Sequence, residues 1–387
     1  MPRVRHAIYT LCCIAALAGV GCRSDAPDPD NLPDPELDFT EQPNPWGYID
    51  REGELVIPTT FDDARDFVEG RAMVRMGAQW GFIDQAGDYI VEPRYRTVRA
   101  YRNGFARVQD FDGRVGYVNR EGRRTILPRY RAAGDFYLDR AAVEVSGEWG
   151  YIDPRGKMII PHSYDVAEDF DNTGVAIVGL ESRYGLIDTM GQIVLPIEYA
   201  RILPTGNRYT ILTEDDDTYR YYDLTEQRLL PGEYRDAQPY YEGIAAVRRD
   251  DDRYYLVDTA GRVVDERGYE QLLYAGHGKW LAGLDGKYGF LEATGKRITA
   301  IDYDQLYRFS EGRAGYLRGD AWGYLDTSGT TLTPPQYLLV WDFKDGLARV
   351  ADQRGMAYID MDGKRVISPN YRDIRDFSEG LARVQAW

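Results

Sequence analysis

Carboxylates are the side chains best placed to do chemistry in this chain. Asp and Glu supply 63 of its 387 residues, against three histidines and three cysteines. Beyond residue 21 only His162, His277 and Cys22 remain of the last two types. The two histidines stand in no His-x-x-x-His or Glu-x-x-His spacing, which disfavours zinc. No G-x-S-x-G, P-loop or dinucleotide fingerprint is present, and a Ser/His/Asp set would need one of those two histidines. Carboxylates about 5 to 10 Å apart in a cleft could hydrolyse glycosides, yet many pairs qualify and none is singled out. Asp110-Phe111-Asp112-Gly113 and Asp360-Met361-Asp362-Gly363 begin like calcium loops, but the later ligands, notably a Glu at the twelfth place, are missing. The other candidate chemistry is aromatic. Tyr221, Tyr222, Tyr240, Tyr241, Tyr254 and Tyr255 crowd the middle of the chain, with Tyr219 and Tyr274 nearby. Tyrosines free of structural duty make flat stacking platforms for sugars or peptides.

The elements that position these residues are repeats. From Trp46-Gly47-Tyr48-Ile49-Asp50 onward one phrase returns about every 34 residues. Its first two places read Trp46-Gly47, Trp80-Gly81, Val115-Gly116, Trp149-Gly150, Tyr184-Gly185, Tyr221-Tyr222, Tyr254-Tyr255, Tyr288-Gly289, Trp322-Gly323 and Met356-Ala357. Such a period marks stacked supersecondary units. Each unit reads as two short β runs about an Asp-x-x-Gly turn, as at Asp50-Arg51-Glu52-Gly53, a signature of a type I turn with a bulge glycine. The second run is expected to close at a proline such as Pro58 or Pro93. An aromatic follows fifteen residues after the tryptophan place, with Tyr234 two places early. A longer connection through Phe67-Val68-Glu69-Gly70 leads to a third strand, Arg71-Ala72-Met73-Val74.

Recurrence assigns Trp46, Gly47, Trp80, Gly81, Trp149, Gly150, Trp322 and Gly323 to the framework. Burying an indole is worth a few kcal/mol, and the glycine admits a neighbouring backbone where a Cβ would collide. The Asp closing the first strand in eight of the ten units, from Asp50 to Asp360, reads as a turn cap before a cation row. Departures from the pattern are where function is expected, and Tyr222 and Tyr255 replace the glycine in the sixth and seventh units. Repeats drifting under weak constraint are the competing explanation.

The phrases Glu379-Gly380-Leu381-Ala382-Arg383-Val384 and Trp149-Gly150-Tyr151-Ile152-Asp153 resemble the WG-repeat (KWG-repeat) family. The resemblance runs over residues 46–387. It implies a bacterial protein, often exported, that binds partners, and it implies no particular activity.

Residues 1–21 read as an export signal: Arg3 and Arg5, then an apolar run from Ala7 to Val20, too short to span a bilayer. The run ends Leu17-Ala18-Gly19-Val20-Gly21-Cys22, which resembles a bacterial lipobox with Cys22 as the acylated residue. Cleavage after Ala16-Leu17-Ala18 is the alternative and would leave Cys22 a free thiol. Arg23 after the cysteine resembles outer-membrane sorting in Gram-negative lipoproteins. Residues 22–45 interleave six prolines with acids and read as a spacer reaching up to about 70 Å at roughly 3 Å per residue. The formal charge of −16 disfavours nucleic acid and anionic lipid.

The expected fold is all-β: about ten three-stranded meanders in a curved or superhelical solenoid, or alternatively a closed propeller-like ring. The expected function is a non-enzymatic, exported, lipid-anchored module that binds a protein or envelope glycan, without cofactor or metal. A hydrolase using carboxylates in a Tyr-lined groove, and a soluble periplasmic or secreted location, are the alternatives.

Overall fold

The computed structural model describes residues 45–214 and 218–387. They form ten small antiparallel sheets and no helix. One sheet shows the plan: Asp63–Ala64, Ala72–Met76, Gln79–Ile83 and Tyr89–Tyr95 lie side by side in that order. The tenth sheet combines both ends of the array. Its order is Leu55–Phe61, Trp46–Ile49, Leu381–Gln385, Asp373–Ser378. Trp46 pairs with Gln385 and Ile49 with Ala382, and Ala386 N–H donates to Pro45 O at 2.9 Å. The array is therefore a closed ring of ten blades, the alternative form, and not an open rod. Closure leaves no terminal blade exposed, which an open stack would have to cap.

The core lies between successive blades. Tyr48, Ile57, Phe61, Ala64, Phe67, Val74 and Ile83 form one such cluster. Tyr48 is fully buried and its hydroxyl donates to Arg65 O, seventeen residues ahead, at 2.7 Å. The same bond returns from Tyr117 to Gly134 O, Tyr151 to Glu168 O, Tyr221 to Gln238 O, Tyr324 to Trp341 O and Tyr358 to Arg375 O. Each stitches a blade to the next and satisfies a carbonyl that Phe would orphan, at about 1–3 kcal/mol apiece. These bonds give six of the 31 tyrosines a duty that phenylalanine could not perform.

The tryptophan–glycine places behave as framework. Trp46, Trp80 and Trp322 are buried, and Trp149 is half-buried. A Cβ on Gly47 would sit 2.5 Å from Ile57 O, and one on Gly81 2.3 Å from Val91 O. The outer strand crosses this glycine because its register slips between Trp46↔Phe61 and Tyr48↔Ile57. Pro58 sits within that slip. The proline thus occupies a bulge inside the outer strand and does not end it, which corrects the expectation and suits an edge strand lacking one donor.

Two further expectations change. The longer connection holds a fourth, two-residue strand in most blades, such as Asp63–Ala64, too short to carry a hydrophobic period. It turns back through Glu69-Gly70, both at positive φ (53° and 73°), with Val68 and Arg71 exchanging two backbone bonds, a type I′ turn. In the sixth unit the tryptophan place is Tyr219, not Tyr221. Tyr219 pairs with Thr213 and bridges Tyr234, as Trp80 pairs with Arg75 and Tyr95. Tyr234 is then fifteen residues on, in register, and Arg220 stands in the glycine place.

Candidate functional site

Blades approach one another at their short-strand edges. There the turn tips and short strands of neighbours bond directly: Glu69 accepts from Asn103 N and Gly104 N, and Ser310 Oγ donates to Phe343 O. This edge is the inner rim of the ring. Pairing register aligns its residues from blade to blade.

Three places meet at each junction. One is the third residue of the strand after the turn, one precedes the turn, and one is the residue before the aromatic of the next blade's short strand. At three junctions these places are ionic, whereas Met73, Val68 and Ala100 fill them at the junction after the closing blade's neighbour. Arg107 Nε lies 2.5 Å from Asp135, with Arg102 Nη1 at 3.7 Å. Arg349 Nε lies 2.5 Å from Asp376, with Lys344 Nζ at 3.2 Å. Arg383 Nε lies 2.7 Å from Asp66. Each arginine also donates to a carbonyl of the next short strand, at Ala133, Ile374 and Ala64 respectively. The sequence signal was present as Asp-Phe before the turn and Ala-Arg-Val after it, but only the ring brings one unit's arginine to the next unit's aspartate.

Two junctions keep the acid and lose the arginine. Ala142 stands opposite Asp169, and Gly315 opposite Asp342. Burial, with Asp135 nearby, pushes Asp169 up to about 6, although Arg102 lies 3.9 Å away. Burial likewise raises Asp342. Glu168 is raised by burial and by the Asp169 charge. Glu168, Asp169 and Asp171 line a cavity of about 20 Å³ with Pro204, Thr205 and Asn207, room for one or two waters.

On the far side of the ring the same junction is aromatic. Ala246 replaces the arginine, Tyr241 the cation before the turn and Tyr274 the aspartate. The rings of Tyr241 and Tyr274 stack at 3.9 Å and 6°. Trp280 meets both edge-on, at 6.5 and 5.5 Å. Tyr241 is 36% exposed. One blade on, Tyr307 is exposed and lies over buried Trp322 at 4.6 Å.

The six tyrosines singled out by sequence do not form one platform. Tyr221 and Tyr240 are buried, their hydroxyls bound to Gln238 O and Asp258 O. Tyr255 is buried at the glycine place and bonds Asp251 at 2.7 Å. Tyr222 is half-buried against the Ile177–Leu186 cluster, and Tyr254 is half-buried with its hydroxyl on Asp236. Tyr241 alone presents an open ring, and Tyr307 is a site residue that sequence reasoning missed. It interrupts no motif; its ring lies so close to Gly315 that a Cβ there would sit 3.1 Å from it.

The calcium-like fragments are spent in turns: Asp110 Oδ1 accepts from Asp112 N and Arg114 N, and Asp360 Oδ1 from Asp362 N and Lys364 N. Among the described residues no group of three or more His, Cys, Asp or Glu is placed to hold a metal ion. His162 bonds Glu148 at an exposed strand. Cys22 and the residues before 45 lie outside the described residues.

The family described as WG containing repeat matches residues 46–79, 80–113, 116–149, 149–182, 184–206, 219–252, 288–320, 322–352 and 356–386. No curated protein matches in sequence. A solved structure titled as the eukaryotic initiation factor is similar at TM-score 0.50 and 11% identity, over 76% of this chain and 94% of that one. At that identity the likeness speaks to fold alone. BamB from Moraxella catarrhalis (14% identity, 66% and 94% covered, TM-score 0.35) and the designed Ika8 protein (12%, 78% and 93%, 0.37) are more distant in shape.

Proposed function

Since the chain belongs to the WG containing repeat family, we propose that its periodic residues build the ring and its departures bind. On this reading it is a non-enzymatic binding module, exported and lipid-anchored through Cys22 in the cell envelope. It holds a protein or envelope-glycan partner at the inner rim. The observation that carries this is the exchange at one junction type. An ion pair that welds blades elsewhere is replaced by a tyrosine stack with an open face at Tyr241. Stability alone does not call for exposed aromatic area, and rigid amphipathic rings are favoured contact residues.

The acidic cavity supports the non-catalytic side of the reading. It is too small to seat a sugar or a peptide bond, and its carboxyls are raised chiefly by burial. The test is capture from envelope extracts with the full chain. Retention of a defined partner, lost with Tyr241→Ala, is expected. Turnover of envelope glycan that vanishes with Asp169→Asn would overturn the reading. Incorporation of labelled palmitate, abolished by Cys22→Ala, checks the anchor.

A further inference from the structure

We infer that the Tyr241–Tyr274 junction is a subsite for the C–H face of a neutral sugar ring, one unit of a glycan that continues toward Tyr307. This deepens the binding-module reading and rests on it. The platform is preorganised. Tyr274 is held by a hydroxyl that donates to Glu242 at 3.4 Å and accepts from Gly278 N at 3.2 Å. Its ring is pressed between Tyr241 and Trp280. A platform whose rotamers are already fixed loses little entropy on binding.

What surrounds the open ring selects the ligand. Glu242 and His277, both exposed, sit in the positive-φ turns (φ 51° and 54°) beside Tyr241 and Tyr274. An aliphatic or aromatic partner covering the ring would desolvate these groups without giving them bonds. A pyranose instead offers an apolar face to the ring and hydroxyls at its edge, where a carboxylate accepts and an imidazole donates or accepts. An anionic glycan meets Glu242 and the chain's net charge of −16. A cationic peptide finds Glu242 already engaged by Tyr274 and Arg308 exposed on the next blade's rim. A neutral sugar conflicts with none of these.

The geometry also provides for length. Phe309 N–H donates to Ala275 O at 2.7 Å, a main-chain bond that joins the Tyr274 and Tyr307 strands. Tyr307, exposed over Trp322 two residues before Phe309, is the next aromatic ring at the surface of the adjoining blade.

The test is titration of the full chain with gluco-, chito- and manno-oligosaccharides of increasing length, followed by calorimetry and intrinsic fluorescence. At least one neutral series is expected to bind, more tightly with length and unchanged by about 0.5 M salt. Tyr241→Ala and Tyr274→Ala should each weaken it by about tenfold or more, and Tyr307→Ala only for the longer members. Tyr241→Phe should retain binding, as should Tyr89→Ala, an exposed tyrosine on an outer strand. No saturation by any neutral hexasaccharide at about 10 mM, or equal binding by Tyr241→Ala, would overturn the inference. So would salt-sensitive binding of a basic peptide that Tyr241→Ala abolishes. A captured protein partner lost with Tyr241→Ala, with every sugar inert, would overturn the sugar subsite while leaving the binding module in place.

Discussion

The Arg349 and Ala246 junctions occupy the same place in the ring and are built from opposite chemistry. At the first, Arg349 is almost fully enclosed, paired to Asp376, bonded to Ile374 O and lying 4.5 Å over Trp341. At the second, Ala246, Tyr241, Tyr274 and Trp280 meet without a charge among them. The difference shows that blade-to-blade adhesion in this ring does not depend on one interaction type. A junction can exchange ions for rings, and where it does so it gains a surface that faces solvent.

The sharpest way to break the comparison is Arg349→Ala. It strips a half-buried aspartate of its main partner and removes a donor from Ile374 O, so urea unfolding should show a loss of about 3 kcal/mol. A loss under about 1 kcal/mol would mean the ionic junction is not adhesive. Adding Lys344→Tyr and Asp376→Tyr to that variant copies the aromatic junction and should recover most of the loss. Tyr274→Ala comes next, at about 2 kcal/mol for a partly open aromatic, and its cost should be the same in low and high salt.

Asp169→Asn should act in the opposite direction. The wild-type carboxyl is raised to about 6, so between about pH 4 and pH 6 the folded state binds its proton more readily than the unfolded state does. Wild-type stability therefore falls as pH rises through that window. The asparagine variant should be more stable at pH 8 by about 1–2 kcal/mol, with the advantage gone near pH 4. Thermal melts across that range test the sign. The smallest effect is expected from Glu379→Gln. Its carboxylate accepts from Gly70 N across the closing blade at 2.7 Å, an exposed clasp worth about 0.5 kcal/mol. Hydrogen exchange at Gly70 should speed while the unfolding midpoint barely moves.

The repeat spelled out blade number, the buried indoles and the Asp-capped hairpins, because each recurs at a fixed offset and needs only neighbours in sequence. Asp50 Oδ1 does accept from Glu52 N and Glu54 N. The two-residue inner strands were invisible, since a period cannot show in so short a run. The junction triads were invisible for a different reason. Arg107 and Asp135, or Tyr241 and Tyr274, belong to different units, and only closure and register bring them together. Tyr221 misled because it is a tyrosine inside a tyrosine run. The Thr213 pairing and the aromatic fifteen residues beyond Tyr219 restore the phase.

The blade shared by Trp46–Ile49 and Leu381–Gln385 bears on how the molecule matures. Leu381–Gln385 is the last of the ring's strands to be synthesised, so the ring stays open until it has emerged. Until then the first strand waits with one edge unpaired, a state prone to pairing with the wrong chain. Docking of Leu381–Gln385 onto Trp46–Ile49 is therefore the step that ends exposure to aggregation, and to any chaperone that recognises a bare strand edge.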